Sequence, residues 1–189
     1  MGRWKPDARG RLEQAALELY AELGFERTTV KDIARRAELT ERTFFRHFTD
    51  KREVLFPASQ PLEAGLVAAV REIPAGQEPL ETLMAALRTL PGALADRREL
   101  ARRRSAIVAA TPVLQERELA KMASLTDALA RELRERGVAE LPAQLAAESA
   151  AAVFRTAFTR WIAPDEAPAE LGVLLDRSLA ELQHVVAAG

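Results

Sequence analysis

The stretch TTVKDIARRAELTERTFFRHFTDK, residues 28–51, decides the fold of the N-terminal part of this chain. Thr29 and Asp32 stand three apart, the spacing of a capping box with the shorter Asp in place of Glu, so a helix is predicted to begin there. Val30, Ile33, Ala34 and Ala37 follow at helical spacing and predict its buried stripe. Glu38-Leu39-Thr40 breaks the pattern, and Thr40 is placed to cap a second short helix from Glu41 to about His47. Phe44 and Phe48 are four apart and share one face of it. With Leu39 they are expected to anchor the helix in a core. A third Phe, Phe45, cannot share that face. Glu41, Arg42, Thr43, Phe45, Arg46 and His47 are left to point outward or lie at the rim.

Upstream, Leu12, Ala16, Leu19, Tyr20 and Leu23 place one apolar face on a helix from about Asp7 to Leu23. Gly24 sits where a left-handed C-terminal cap belongs, and Phe25 is expected to fold back on that face. Downstream, Thr49-Asp50-Lys51 restarts the chain into a fourth helix near residues 51–56. Three short helices, the last two joined by a few residues, are the helix-turn-helix layout. In that layout one helix braces the next, which presents its exposed face to the major groove of double-stranded DNA.

Pro57 and Pro61 mark a boundary, so the reading divides the chain into residues 1–56, a DNA-binding domain, and 57–189. Ala- and Leu-rich segments follow at about 61–73, 79–95, 96–110, 112–136, 142–163 and 167–187, punctuated by proline and glycine. They predict an antiparallel helical bundle. The expected class is all-α, with about nine helices and almost no strand.

The rest of the composition mostly excludes. The chain of 189 residues has no cysteine, which removes disulfides and thiolate metal sites, and its two histidines, His47 and His184, are far apart. No metal and no cofactor are expected. Met1–Pro6 is short and polar with no apolar region after it, and no apolar run nears the roughly 20 residues that span a bilayer. A cytoplasmic protein without membrane contact is expected. The net charge of −1 says little about nucleic acid; residues 1–56 hold 12 Lys and Arg against 10 Asp and Glu, a mild basic bias.

Residues 28–51 resemble the TetR family of bacterial regulators, whose pattern runs from a Thr-Val-x-x-Ile-Ala start through a Ser/Thr-capped reader helix to an aromatic-rich end and a Lys. Thr29, Val30, Ile33, Ala34, Thr40, Thr43, Phe48 and Lys51 match it, as do Gly24-Phe25 and the stripe ahead of them. The likeness covers about 50 residues; the remainder matches only in being helical and of the usual length. It implies phosphate contacts at Thr29, Thr40, His47 and Lys51, and base-edge or adjacent phosphate contacts at Glu41, Arg42, Thr43 and Arg46. Arg42 paired bidentately with a guanine would supply about 1–3 kcal/mol of discrimination. Glu41 would accept from a cytosine or pair with a neighbouring cation. Two positions depart from the family. Glu38 stands where a turn glycine is common, which suits a non-glycine residue only if φ stays negative. Phe45 stands where a Tyr hydroxyl commonly touches phosphate, and it would meet sugar or a thymine methyl instead. Gly2-Arg3-Trp4-Lys5 is read as an arm along the backbone or minor groove.

The resemblance also implies a bundle for ligand binding and dimerisation. Met84, Leu87, Arg103, Ile107, Met122, Phe154, Phe158 and Trp161 are the candidate pocket residues, although apolar stripes at this spacing are equally plain core. Arg97, Arg98, Arg102, Arg103 and Arg104 form a basic run, read either as surface charge paired with Asp96 and Glu99 or as an anion-binding rim. Ala150, Val153, Leu171, Leu174, Leu175, Leu179 and Leu182 are the candidate dimer interface, a stripe that also suits packing within one chain. A homodimeric repressor released from a palindromic operator by a hydrophobic or acyl-type small molecule is the implied function. A helical adaptor without specific DNA binding is the alternative. An enzyme is disfavoured, because no Gly-x-Ser-x-Gly elbow, His-Glu-x-x-His motif or phosphate-cradling glycine loop occurs.

Overall fold

The computed structural model describes residues 7–94, 97–163 and 170–188. Ten α-helices and one 3-10 turn occur there, with no strand among the described residues: α1 Ala8–Leu23, α2 Val30–Arg36, α3 Glu41–His47, the turn Glu53–Leu55, α4 Ser59–Glu72, α5 Pro79–Leu87, α6 Leu90–Leu94, α7 Arg98–Ala109, α8 Pro112–Glu135, α9 Glu140–Ile162 and α10 Leu171–Ala187. The chain divides into two compact units, residues 1–59 with 103–119, and residues 60–102 with 120–189. The sequence boundary at 56–57 lies close to the first break, but the return of 103–119 to the first unit is not visible in a linear reading. Asp96, Pro164 and the arm Gly2–Lys5 lie outside the described residues.

In the first unit α1 buries Leu12, Ala15, Ala16, Leu19 and Tyr20. Leu23, expected on that face, is 40% exposed. The chain reverses at Gly24, whose φ of 83° and ψ of 156° suit glycine but are not the left-handed helical cap. Phe25 then takes the inward place, its ring 5.2 Å from that of Tyr20. The core gathers Ile33, Ala37, Phe44 and Phe48 from the helix pair, Val54, Leu55 and Phe56 from the turn, and Val108 and Leu114 from the returning segment. The helix expected at 51–56 is only a 3-10 turn. Its start is tied by the Asp50 carboxylate, which accepts from the N–H groups of Arg52 at 2.7 Å and Glu53 at 3.2 Å, and Pro57 follows at once.

In the second unit α9 packs against α5 and α10, and α10 also meets α6. The helix expected over residues 79–95 is two helices. The Thr89 hydroxyl donates to the Ala86 carbonyl at 2.7 Å, ending α5, and Pro91 lies in the first turn of α6, where its missing N–H is not needed. The core of this unit includes Leu83, Met84, Leu87, Leu133, Ala147, Ala150, Val153, Trp161 and Leu175. Two arginines close helix ends. Arg136 donates to the carbonyls of Val70 at 2.6 Å and Ile73 at 2.7 Å after α4. Arg98 donates to those of Trp161 at 2.5 Å and Ala163 at 3.1 Å after α9. No helix among the described residues is long and apolar enough to cross a membrane.

Candidate nucleic-acid interface

The reader helix α3 is positioned from its caps upward. The Thr29–Asp32 capping box is complete: the Thr29 hydroxyl accepts from the Asp32 N–H at 3.1 Å, and the Asp32 carboxylate accepts from the Thr29 N–H at 3.1 Å and hydroxyl at 2.6 Å. These bonds from Thr29, aided by Arg35 and Lys31, hold the Asp32 carboxyl below its ordinary pKa. α2 is braced on α1 by Arg36, which meets Glu22 at 2.7 Å and Glu18 at 3.2 Å, and by Arg11, which donates to the Ala37 carbonyl at the end of α2.

The turn then closes through two backbone bonds, Glu38 N–H to the Arg35 carbonyl at 3.0 Å and Leu39 N–H to the Ala34 carbonyl at 2.8 Å. That pairing is the Schellman motif, which requires a left-handed residue between helix and exit. Glu38 fills it with φ 54°. The condition under which a non-glycine residue fits without strain, a negative φ, is therefore not met. Arg11 lies 3.4 Å from its carboxylate.

Thr40 caps α3, accepting from the Thr43 N–H at 3.1 Å, and the two threonine hydroxyls are 3.0 Å apart. Phe44 and Phe48 are buried, their rings 5.5 Å apart, and Leu39 packs beside them. Glu41, Arg42, Phe45 and Arg46 are exposed, while Thr43 and His47 are half-buried. Arg42 and Arg46 have no hydrogen-bond or ion-pair partner among the described residues. Nε2 of His47 is buried without a hydrogen bond among the described residues.

Lys51 differs from what its position in the family pattern implies. Its ammonium donates to the carbonyls of Phe25 at 2.9 Å, Thr28 at 3.0 Å and Glu26 at 3.4 Å, and lies over the Phe25 ring. An ammonium has three donors, so this one is spent inside the fold rather than directed at a phosphate. The Lys51 carbonyl accepts from the Tyr20 hydroxyl at 2.6 Å, and burial pushes the Tyr20 phenol upward in pKa. Lys31 carries no signal in the sequence, because it interrupts no pattern. It is exposed on the first turn of α2 and makes no hydrogen bond or close ion pair among the described residues, its charge acting only on Asp32 through space.

The second-unit candidates separate. Met84, Leu87, Phe154 and Trp161 are buried in its core, with Met122 and Phe158 packed against it. The three aromatic rings form a ladder, Phe154 to Phe158 at 5.7 Å and Phe158 to Trp161 at 5.6 Å. Arg103 and Ile107 belong to the segment counted with the first unit, where Ile107 packs on that core. Among the described residues, a cleft of about 270 Å³ in the second unit is lined by Gln60, Glu63, Ala64, Val67, Arg71, Ala128, Arg131, Glu132 and Glu135. The basic run divides among different partners. Arg102 pairs with Glu99 at 2.9 Å, Arg98 closes α9, and Arg104 pairs with Glu118 at 2.9 Å and covers the Phe56 ring.

The interface stripe is also corrected. Ala150, Val153, Leu171, Leu174, Leu175 and Leu179 are buried within one chain's core, and Leu182 packs against it. The six buried residues are therefore not free to form a surface for a second chain, while Leu182 is only half-buried. Leu141 and Leu145 on α9 and Val173, Val185 and Val186 on α10 are each more than half exposed.

The comparisons with known proteins agree with this geometry. The model of bacterial regulatory proteins of the tetR family matches residues 13–57. The HTH-type transcriptional regulator TcmR of Streptomyces glaucescens is 40% identical over 88 residues, 47% of this chain and 39% of that protein. The chain thus spans about two fifths of the length of that curated relative. Among solved structures, FadR of Thermus thermophilus, a TetR-family repressor in complex with lauroyl-CoA, is 28% identical with a TM-score of 0.57, covering 93% of both chains. The SmeT–triclosan complex is 24% identical with a TM-score of 0.62, covering 92% of this chain and 90% of that one, and shows the likeness of fold.

Proposed function

We propose that this chain, which belongs to the tetR family of bacterial regulatory proteins through residues 13–57, is a DNA-binding transcriptional regulator and acts as a repressor. One observation carries the reading. Arg42 and Arg46 stand exposed on α3 and unpartnered among the described residues, while the opposite face of that helix is locked into the core by Phe44 and Phe48. A rigid helix offering uncommitted guanidinium groups suits phosphates and guanine edges in a major groove. Thr43, Phe45, His47 and Glu41 on α3, its cap Thr40, and Thr29 at the start of α2 complete the proposed contact set.

The regulator works as a homodimer, because one seven-residue reader helix reaches few base pairs and two-fold pairing doubles the site on a palindromic operator. The exposed Leu141, Leu145 and Val173 support pairing through α9 and α10. A hydrophobic small molecule received by the helices beyond residue 59 releases the operator. The support is that FadR holds lauroyl-CoA and SmeT holds triclosan. Release requires that the effector prefer the conformation DNA does not, and DNA weakens the effector by the same factor. The reading assigns no catalytic step and places the protein in the cytoplasm.

The test is selection of genomic fragments by the purified chain. Enriched fragments should be palindromic, and the Arg42→Ala/Arg46→Ala variant should lose them while remaining folded and of unchanged oligomeric state. Undiminished binding by that variant would remove the site assignment. Failure of the wild type to prefer any fragment over random DNA would favour the adaptor.

A further inference from the structure

We infer that Arg104 and Arg117 are positioning residues for the reader helix: they clamp the 3-10 turn that follows α3, and so bring residues 103–119 into the DNA-reading unit. The inference rests on the DNA-binding reading above and goes beyond its contact set. The turn Glu53–Leu55 is three residues long, and 3-10 hydrogen bonds are poor in geometry, so it needs outside support. Asp50 holds its start. The rest is held from α7 and α8. Arg104 makes three contacts: its Nε donates to the Leu55 carbonyl at 2.5 Å, its guanidinium lies 4.7 Å from the centroid of the Phe56 ring, and it pairs with Glu118 at 2.9 Å. Arg117 pairs with Glu53, whose side chain is largely buried, so the pair is shielded from the solvent that weakens a surface one.

These contacts reach α3 through a shared core. Val54, Leu55 and Phe56 lie in one apolar cluster with Phe44 and Phe48, the buried face of α3, and with Val108 and Leu114 from either side of the corner between α7 and α8. That corner is stiff. Pro112 opens α8 in its first turn, and the Gln115 amide donates to the carbonyl of Ala109, the last residue of α7, at 2.5 Å. A recognition side chain works only within roughly 0.5 Å of its productive place. A reader helix of seven residues cannot fix itself to that tolerance and takes its place from what packs behind it. Arg104 and Arg117 therefore set where Arg42 and Arg46 stand without touching DNA themselves. Arg104 belongs to the basic run 97–104, and its charge is spent inside the reading unit rather than offered to an anion.

The experiment uses the full-length chain, a duplex that the wild type selects from a random library, and an unselected duplex of equal length. It reads the ratio of the two affinities where circular dichroism shows the chains folded. The long-range effect of a changed charge acts on both duplexes and cancels in the ratio. Arg117→Glu and Glu53→Arg should each lower the ratio about tenfold, within the range for losing one base-reading contact. The double exchange Glu53→Arg/Arg117→Glu should recover most of it. Arg104→Lys keeps a cation for Glu118 but not the planar fork that serves Leu55 and Phe56 together, and it should lower the ratio by a smaller factor. A merely structural role moves both affinities by the folded fraction alone and leaves the ratio unchanged. An unchanged ratio in the folded Arg117→Glu and Arg104→Lys chains overturns the inference while leaving DNA binding intact; where a charge exchange unfolds the chain, Arg104→Lys decides alone. A folded double exchange no more selective than either single variant also overturns it. A wild-type chain that enriches no duplex removes the parent reading and this one with it.

Discussion

The ammonium of Lys51 lies 4.2 Å from the ring centroid of Phe25 and donates to the carbonyl of the same residue at 2.9 Å. One side chain thus ties the segment just ahead of the 3-10 turn to the loop between α1 and α2, and with it the start of the helix-turn-helix. Lys51→Met keeps the length of the stem but leaves the carbonyls of Phe25 and Thr28 without their donor. Removing the bonds to the charged group should lower the unfolding free energy by about 1–3 kcal/mol, read by urea denaturation. The slope of log affinity for DNA against log salt should not change. Each cation that neutralises a phosphate contributes about 0.9 to that slope. A fall of this size in the variant would return Lys51 to the DNA-contacting set.

Arg42 and Arg46 should behave in the opposite way. They are exposed and bind nothing else among the described residues, so replacing either with Ala should shift stability by less than about 0.5 kcal/mol. Binding to a selected operator should weaken by about 1–3 kcal/mol for a guanine-reading arginine, with relaxed preference at one base pair. For a phosphate-binding arginine the salt slope should fall instead. Titrations of wild type and both variants at several salt concentrations separate the two roles.

Glu38 carries a backbone cost that its side chain only partly offsets. A left-handed L-residue costs roughly 1–2 kcal/mol, whereas glycine in its place gives up about 0.5–1 kcal/mol of chain entropy. The Arg11 pair at 3.4 Å involves a largely exposed carboxylate, a kind of contact worth a few tenths of a kcal/mol. Glu38→Gly should therefore stabilise the protein by about 0.5 kcal/mol, and Glu38→Val, β-branched, should destabilise it. Thermal unfolding of the two variants beside the wild type gives both signs.

Acid should act on the α2 cap. Thr29 holds the Asp32 carboxyl below its ordinary pKa, and Arg52 does the same for Asp50 beside the 3-10 turn. A carboxyl depressed in the folded state stabilises it above the unfolded value, near 3.9, and that contribution disappears as pH falls through the folded value. Stability should be flat above about pH 5 and fall below pH 4. Thr29→Ala should cost about 1 kcal/mol at neutral pH and make the acid limb shallower. Denaturant midpoints from pH 2 to 7 would show both effects; an acid limb unaltered by Thr29→Ala would refute the link.

What was legible in the sequence is what is local. Thr29 with Asp32, Thr40, and the spacing of Phe44 and Phe48 each encode their role within four residues, and the structure reproduces them. Glu38 was not legible, because its positive φ is imposed by the Schellman closure between Ala34 and Leu39 and leaves no mark on residue type. Lys51 was misleading for a related reason. A lysine in a family pattern shows that a cation is needed, not which oxygens it serves. Ile107 lies on an apolar stripe like Met84, yet periodicity does not tell which unit covers a stripe, and 103–119 returns to the first.

The same ambiguity governs pairing and supplies its test. Leu175 and Leu145 both lie on apolar positions of the last two helices, but Leu175 is fully buried within one chain and Leu145 is exposed. Leu175→Ala should open a cavity and cost about 2–5 kcal/mol, lowering stability whether or not two chains associate. Leu145→Glu loses no internal packing of that kind. On the proposed pairing through α9 and α10 it buries a charge without a partner, which is far more costly than its exposed state. Sedimentation equilibrium should therefore show Leu145→Glu as a folded monomer, with unchanged helicity and weakened binding to a palindromic duplex but retained weak binding to a single half-site. A Leu145→Glu chain that remains dimeric would move the interface off this face of α9. A wild-type chain that is monomeric while still selecting palindromic DNA would mean that pairing occurs only on the operator.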